Sequence, residues 1–186
     1  MVQQCEGKAA ARGRVAVFAC VAAVALAIDQ VTKALALTHL SETASIRVIP
    51  GLLALRLVHN PGASLGMGSG ATWLISLIAI AACVAIVWMA VRTVSMRWEI
   101  LLALAFAGAV GNLIDRIAYA DGFLNGKVVD FLDYGWSIGN VADIFLMVAG
   151  IGIVVLIFVG EPFGRKDLEA RKDAGTAGDP EEPTVR

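Results

Sequence analysis

Four long apolar stretches, at about 15–37, 71–91, 100–117 and 138–159, constrain this chain more than any other feature. Each is close to the roughly 20 residues that an α-helix needs to cross a bilayer. Only 17% of the residues are charged, whereas a soluble domain carries about 25%. Because backbone groups find no water inside a membrane, each stretch is expected to be helical. The sequence therefore predicts an all-α membrane protein, a bundle of four transmembrane helices.

Lysine and arginine residues outside the spans predict the orientation of this bundle. They are concentrated in the N-terminal segment, in the short loop between the second and third spans, and at the start of the C-terminal tail. The positive-inside rule places such segments in the cytoplasm. We therefore predict a cytoplasmic N-terminal segment over 1–14, a membrane domain over 15–160 and a cytoplasmic tail over 161–186. The tail has no apolar repeat and is predicted to be disordered.

The predicted topology brings polar residues from three spans to the same, outer end of the bundle. The first span runs outward, so its acidic residue lies about 21 Å above its start at 1.5 Å per residue. Ionisable groups at membrane depth are expensive unless they are paired or face water, so they are functional candidates. The polar residues of the first, third and fourth spans are Asp29, then Asn112, Asp115 and Arg116, then Asn140 and Asp143.

The two long loops face outside in this topology, and both contain apolar segments that are typical of structured chain. Segments 45–49 and 53–59 of the first loop predict short strands around the turn dipeptide Pro50–Gly51. They predict a small extracytoplasmic β element that rests on the membrane surface. In the last loop, 128–131 is apolar around the carboxylate of Asp130. This segment is expected to dip back toward the bundle.

Two helical clusters each have a functional and a structural interpretation. Asp29 and Lys33 are four residues apart on one face, so they either form part of a site or neutralise each other while Lys33 snorkels to the interface. Asn112, Asp115 and Arg116 also share one face. We expect Asp115 to fix Arg116, whose planar guanidinium suits a carbonyl-rich peptide. The alternative is a structural Asp–Arg pair at the end of the span.

Glycines near the second cluster predict close packing of the third span. Gly108 and Gly111 lie on a face near the polar residues, and residues without a side chain let another helix approach closely.

Asp130 and Asp143 are the two carboxylates without an evident local basic partner. Lys127 is close to Asp130 in sequence but projects to the other side of a strand-like segment. Two carboxylates close together at low dielectric share a proton, and such a pair can activate a water and protonate a leaving amine. The alternative is two independent acids near the membrane surface.

Other signals exclude several classes of function. Segment 62–66 matches the serine-hydrolase pattern G-x-S-x-G, but that motif needs an α/β sheet that this chain does not predict. Cys5, Cys20 and Cys83 have no metal-ligand spacing, so we predict no metal and no disulfide. The formal net charge of −1 gives no reason to expect a nucleic-acid partner.

Five sequence blocks together resemble the motifs of lipoprotein signal peptidase, or signal peptidase II, a bacterial membrane aspartic protease family. The resemblance covers about 15–159. The blocks occur in the family's order, at 29–33 (DQVTK), 59–64 (HNPGAS), 111–116 (GNLIDR), 128–131 (VVDF) and 140–143 (NVAD).

The resemblance implies cleavage of diacylglyceryl-modified prolipoproteins just before the lipidated cysteine, at the outer face of the plasma membrane. It implies that Asp130 and Asp143 are the catalytic pair, with no cofactor. It also implies contact with membrane lipid and inhibition by globomycin. Nothing in the sequence demands more than a monomer. The supporting and substrate-binding residues of the matching blocks are Asp29, Lys33, Asn60, Gly62, Asn112, Asp115, Arg116, Asn140 and Ala142.

The chain departs from the family pattern at two places. Leu65 and Gly66 stand where the turn block often has an aromatic residue, and the last loop is glycine-rich before Asp130, with a short gap to Asp143. Both departures concern the rim and flap of the expected site.

Two other classes of function remain as alternatives. A four-span transporter would need carboxylates near the midplane of the membrane and a functional dimer. A structural subunit would show altered association, with no change in substrate processing, when Asp130 is neutralised.

Overall fold

The computed structural model describes residues 2–62 and 69–176, and in this part four helices are long and apolar enough to cross a membrane. This confirms the four predicted spans. The first helix continues toward the N-terminus beyond its span, which begins at Ala11. The four helices are α1 (Val2–His39), α2 (Thr72–Ala90), α3 (Met96–Ala118) and α4 (Val141–Phe158).

Helix α3 is the centre of the bundle and packs against α1, α2 and α4. Two glycines make the close approach possible, as the sequence predicted. A Cβ atom at Gly108 would lie 2.6 Å from the carbonyl oxygen of Ala142 on α4. A Cβ atom at Gly111 would collide with the carboxylate of Asp29 on α1. Glycine is therefore needed at both positions for α3 to pack between these two helices.

The loops form a four-stranded antiparallel sheet in the described residues, with strand order β1-β2-β3-β4. The first loop supplies β1 (Ile46–Ile49) and β2 (Leu53–Asn60), which confirms its predicted β element. The last loop adds β3 (Val128–Asp133) and β4 (Ile138–Gly139). The prediction of an all-α fold was therefore wrong in part: the protein is mostly helical, but half of its strands come from a loop for which no strand pairing was predicted.

The pairing of β2 with β3 sets the position of the polar residues of the sheet. Val58 is opposite Asp130, and Asn60 is opposite Val128. Partners and every second residue share a face of a sheet, so Asn60 and Asp130 lie on the same face. The first four residues of β3 are buried, which holds Asp130 against the helices.

The ends of two predicted segments differ from the structure. Helix α4 begins at Val141 instead of 138, because Ile138 and Gly139 pair with β3. Disorder was predicted from 161 onward, but the structure has a further helix there, α5 (Arg165–Thr176). The last ten residues, 177–186, lie outside the described part, as does most of the G-x-S-x-G segment.

Candidate active site

Asp130 lies in the middle of β3 and is 2% exposed. Both of its carboxylate oxygens accept a hydrogen bond from an amide side chain. The Nδ2 of Asn60, at the end of β2, donates to Oδ2 at 2.9 Å. The Nδ2 of Asn140 donates to Oδ1 at 2.7 Å. The sheet register and the start of α4 thus hold this carboxylate from two sides.

Asp143 lies in the first turn of α4 and is held by the cap of that helix. Asn140 is the N-cap residue, and its Oδ1 accepts from the backbone N–H of Asp143 at 3.2 Å. In return, Oδ2 of Asp143 accepts from the backbone N–H of Asn140 at 3.0 Å. This reciprocal capping box satisfies two N–H groups that the helix leaves unpaired. Asn112 donates from Nδ2 to the remaining oxygen, Oδ1, at 2.9 Å.

Asn140 therefore joins the two carboxylates that the sequence proposed as a pair. It is fully buried, donates to Asp130, and exchanges two bonds with Asp143. Asp143 itself is half-buried. The structure thus brings together one enclosed carboxylate and one more accessible carboxylate, held by the same asparagine.

The surroundings of Asp130 raise the pKa of its carboxyl group from 3.8 to about 6. Burial is the largest cause, and the negative charge of Asp143 raises the pKa further. Hydrogen bonds from Asn60 and Asn140 and the positive charge of Lys33 act in the opposite direction. The net effect is that Asp130 keeps its proton to a higher pH than an ordinary aspartate does.

Lys33 lies behind the carboxylate pair and is 3% exposed. Its Nζ is 3.0 Å from Oδ2 of Asp29 and 2.9 Å from Oδ2 of Asp115. It also donates to Oδ1 of Asn112 at 3.0 Å and to the carbonyl oxygen of Gly111 at 3.3 Å. The predicted Asp29–Lys33 pair is confirmed. The snorkelling alternative is wrong, because the ammonium group points into the bundle and finds its partners there.

The two acids that bind Lys33 also hold backbone groups of the site. Asp29 accepts from the N–H of Ala142, in the first turn of α4, at 3.0 Å. Asp115 accepts from the N–H of Val129, next to Asp130, at 3.1 Å. Each acid thus fixes a segment that carries one of the paired carboxylates. Ala142 contributes its backbone and is completely buried.

Arg116 does not pair with Asp115, contrary to the sequence prediction, because Asp115 makes its ion pair with Lys33. The guanidinium of Arg116 instead donates to two carbonyl oxygens, that of Asn112 at 3.1 Å and that of Gly62 at 3.0 Å. Its buried Nε has no hydrogen-bond partner among the described residues. Gly62 donates its N–H to Oδ1 of Asn60 at 2.9 Å, so both of its backbone groups are bound to site residues.

One member of the network was not among the predicted site residues. The Gln30 side chain donates to Oδ2 of Asp29 at 3.0 Å and to the carbonyl oxygen of Gly111 at 3.3 Å. Its position directly after Asp29 in the sequence was the feature that could have predicted its place in the network. Lys127, by contrast, is exposed. The described residues contain no group of three His, Cys, Asp or Glu side chains able to hold a metal ion.

The arrangement suits acid–base chemistry on a bound water. Two carboxylates with different environments divide into a proton donor and a proton acceptor at one pH. The buried Asp130 fits the first role, and the accessible Asp143 fits the second. Neither role needs a metal ion or a covalent intermediate.

Comparison with known proteins agrees with the motif blocks. The family described as Signal peptidase (SPase) II matches residues 21–159. A lipoprotein signal peptidase of Bifidobacterium adolescentis is 72% identical over 158 residues, which cover 85% of this chain and 84% of that protein. Another, from Bifidobacterium longum subsp. infantis, is 66% identical over 170 residues, covering 91% of this chain and 93% of that protein.

A solved structure shares the fold. It is described as a bacterial membrane enzyme determined by the in meso method at 2.3 Å resolution, and it matches with a TM-score of 0.70 and 31% identity. The match covers 77% of this chain and 88% of that one. The resemblance inferred from the five sequence blocks is therefore confirmed. Since the family match spans most of the chain, and relatives are similar over nearly their whole length, the chain belongs to the signal peptidase II family.

Proposed function

We propose that the Asp130–Asp143 pair is the catalytic centre with which this enzyme removes signal peptides from lipoproteins. The family is one of aspartic peptidases, and the similar proteins are lipoprotein signal peptidases. The substrate is a diacylglyceryl-modified prolipoprotein, and cleavage occurs just before the lipidated cysteine. The four spans support a multi-pass bacterial membrane enzyme. We infer from the distribution of Lys and Arg that its active site faces the outer side of the membrane.

The strongest support for the catalytic pair is the unequal setting of two carboxylates that share Asn140. Burial and the charge of Asp143 raise the pKa of Asp130 to about 6, so Asp130 holds the proton at lower pH. Asp143 is more accessible to solvent than Asp130 and is the acceptor in the proposed pair. An acid and a base side by side are what hydrolysis of a peptide bond requires.

The reaction proceeds by attack of a water molecule held between the two carboxyl groups. Asp143 takes a proton from the water molecule while the water oxygen attacks the scissile carbonyl carbon. Asp130 donates its proton to the carbonyl oxygen, which gives a neutral tetrahedral intermediate. Asp143 then gives its proton to the leaving nitrogen while the C–N bond breaks, and Asp130 recovers the proton from the hydroxyl group as the carbonyl re-forms. Each carboxyl group ends the cycle as it began.

Arg116 and Asn112 position the extended peptide beside this pair. Two nitrogens of the Arg116 guanidinium bind the carbonyl oxygens of Asn112 and Gly62, which fixes the plane of the guanidinium. Correct placement of the peptide bond supplies a large part of the rate enhancement in such reactions.

A site at the end of the spans suits a lipidated substrate. The acyl chains stay in contact with lipid between the helices, while the peptide bond meets water and the two acids. Globomycin-type inhibitors would occupy the same position.

The test is a gel-shift assay with a diacylglyceryl-modified prolipoprotein. Asp130→Asn and Asp143→Asn should each lower the cleavage rate by at least about 100-fold, the scale of lost acid–base catalysis. Asp133→Asn is the matched control, since Asp133 is on the same strand but pairs with Arg56 at 3.8 Å. It should cleave normally, and globomycin should inhibit it. Full cleavage by a folded Asp143→Asn protein would contradict the assignment.

A further inference from the structure

Thr72 is the first residue of α2, and its hydroxyl group binds a turn beside the proposed catalytic centre. The side chain is 4% exposed, and the hydroxyl donates to the carbonyl oxygen of Pro61 at 2.5 Å. Pro61 lies between Asn60, which donates to Asp130, and Gly62. The start of α2 is therefore connected through one hydrogen bond to the segment that reaches Asp130.

The peptide group that joins Pro61 to Gly62 is bound on both of its sides. Its carbonyl oxygen accepts from Thr72. Its N–H, which belongs to Gly62, donates to Oδ1 of Asn60 at 2.9 Å. A peptide group is planar, so a hydrogen bond that fixes the direction of its oxygen also fixes the direction of its N–H.

The direction of this N–H determines which atom of the Asn60 amide faces Asp130. A backbone N–H is only a donor, so the atom of the Asn60 amide that it meets must be the oxygen. The amide nitrogen then lies on the other side, where it donates to Oδ2 of Asp130 at 2.9 Å. If the peptide group turned, the Asn60 amide would lose the contact that holds its nitrogen toward Asp130.

We propose that Thr72 is a positioning residue for the reaction: through the Pro61–Gly62 peptide group, its hydroxyl holds the Asn60 amide in the orientation that donates to Asp130. The inference rests on the proposed function and adds to it a residue of α2, a helix without a charged side chain. Thr72 acts on the reacting groups only through Asn60.

The arrangement has a consequence for the proton of Asp130. The hydrogen bond from Asn60 lowers the pKa of this carboxyl group, so weakening it should let Asp130 keep its proton to a higher pH. The other charged and hydrogen-bonding groups that act on or interact with Asp130 belong to α1, α3 and the start of α4, and substitution of Thr72 leaves all of them in the protein. These groups are Lys33, Arg116, Asn140 and Asp143.

The test is the pH profile of kcat/KM with a diacylglyceryl-modified prolipoprotein, which should fall as Asp130 loses its proton near pH 6. Thr72→Val removes the hydroxyl and keeps the branched shape. It should move the falling limb to higher pH by about 0.3–1 unit, the scale of one weakened hydrogen bond. Thr72→Ser keeps the hydroxyl and should keep the wild-type limb. A limb that stays in place in Thr72→Val overturns the proposal.

Folding of each variant is checked by thermal unfolding in detergent. Thr72→Ala is the second variant without the hydroxyl, and it adds no atom to the packed start of α2. It should move the limb in the same direction as Thr72→Val. An unmoved limb in a folded Thr72→Ala protein overturns the proposal even if the valine variant does not fold.

Thr93→Val is the matched control, since it removes a similar hydrogen bond far from Asn60. Thr93 follows the other end of α2, is 1% exposed, and donates from its hydroxyl to the carbonyl oxygen of Phe163 at 3.0 Å. Its substitution should lower the thermal midpoint and leave the limb in place. An equal shift of the limb in Thr93→Val would mean that general loosening of the fold moves it, and would overturn the proposal.

A double variant tests the route from Thr72 to Asp130. In an Asn60→Ala background, Thr72→Val should cause no further shift of the limb, because the group through which it acts is already gone. A second shift of full size would mean that Thr72 acts by another route, and the proposal fails. Cleavage at the wild-type rate by a folded Asp130→Asn protein would refute the proposed function. A shifted limb in Asn60→Ala with an unmoved limb in Thr72→Val refutes this inference alone.

Discussion

The ammonium group of Lys33 makes four polar contacts within the site. One ammonium group, 3% exposed, contacts the carboxylates of Asp29 and Asp115 and the side chain of Asn112. Buried charges of this kind are tolerated only when they are paired and hydrogen-bonded. Because both acids also bind backbone N–H groups next to the proposed catalytic pair, the ion-pair network fixes the geometry around Asp130 and Asp143.

Lys33→Met should therefore destabilise the protein strongly. It leaves two buried carboxylates without their cation, and breaking a buried pair in this way costs about 3–5 kcal/mol. Thermal unfolding in detergent should show a clearly lower midpoint, with Lys127→Met as the control on an exposed lysine. The double variant Lys33→Met with Asp29→Asn should recover part of the loss. A midpoint for Lys33→Met equal to that of the control would contradict this account.

The pH dependence of cleavage should report the proton held by Asp130. Its folded pKa of about 6 lies above the ordinary value of 3.8, so the group is neutral below about pH 6 and ionised above it. Above that pH Asp130 has lost its proton and the pair lacks its donor, so kcat/KM should fall as pH rises through about 6.

A variant of Asn60 tests the same assignment. Its hydrogen bond stabilises the ionised form of Asp130 and lowers the pKa. Asn60→Ala should therefore move the falling limb of the kcat/KM profile to higher pH, whatever it does to the maximum rate. A limb that stays in place or moves to lower pH would show that another group titrates there.

The helices and strands contribute chiefly by bringing distant short segments together. The N-terminal turn of α4 is an example, because its capping box both ends the loop and orients Asp143. An Asn followed three residues later by an acid is close to a known start signal, so the beginning of this helix at 141 was readable from the sequence. Ile138 and Gly139 were predicted to be part of the helix, because a strand of only two residues leaves no periodic pattern in the sequence.

The close packing of α3 is testable at its glycines. Gly108→Ala would place a methyl group 2.6 Å from the backbone oxygen of Ala142 and 2.8 Å from Cγ of Leu146, so α3 and α4 must separate. The thermal midpoint and the cleavage rate should both fall, since α4 carries Asp143. Gly150→Ala on the same helix pair is the control, because a Cβ atom there meets nothing within 4 Å. Equal effects of the two substitutions would argue against packing as the cause.

At the scale of the whole molecule, the two ends of α3 are tied down by different chemistry. Its C-terminal end joins the buried polar network, and its N-terminal end is bound to the segment after α4. There, Glu161 accepts from Ser95 at 2.7 Å and from Arg97 at 3.2 Å, and Trp98 donates to its carbonyl oxygen at 3.3 Å. These three contacts tie the start of α3 to the segment that follows α4.

The proposed orientation of the bundle predicts which residues a reagent can reach from outside the cell. In a variant with Cys5, Cys20 and Cys83 replaced by Ala, Trp136→Cys lies in a strongly exposed turn of the sheet, at 79% exposure. A membrane-impermeant maleimide should label it in intact cells. Met96→Cys, at the start of α3, should be labelled only after permeabilisation. The reverse pattern would place the proposed active site in the cytoplasm.

The sequence by itself determined the four spans, the two strands of the first loop and the family. These depend on signals that are local in the chain: apolar length against membrane thickness, alternation around a turn, and short ordered motifs. It also nominated the acids and amides of the site, since polar residues inside apolar runs are conspicuous.

Only the tertiary structure decided how those residues are paired. Asn60 meets Asp130 across 70 positions of the chain, and Asp29 meets Ala142 across 113. The expectation that Asp115 fixes Arg116 was wrong for this reason. Arg116 is the sequence neighbour of Asp115, but the carboxylate of Asp115 forms its ion pair with Lys33 of another helix, at 2.9 Å. Buried charges take the partner that packing brings within reach, and packing depends on the whole bundle at once.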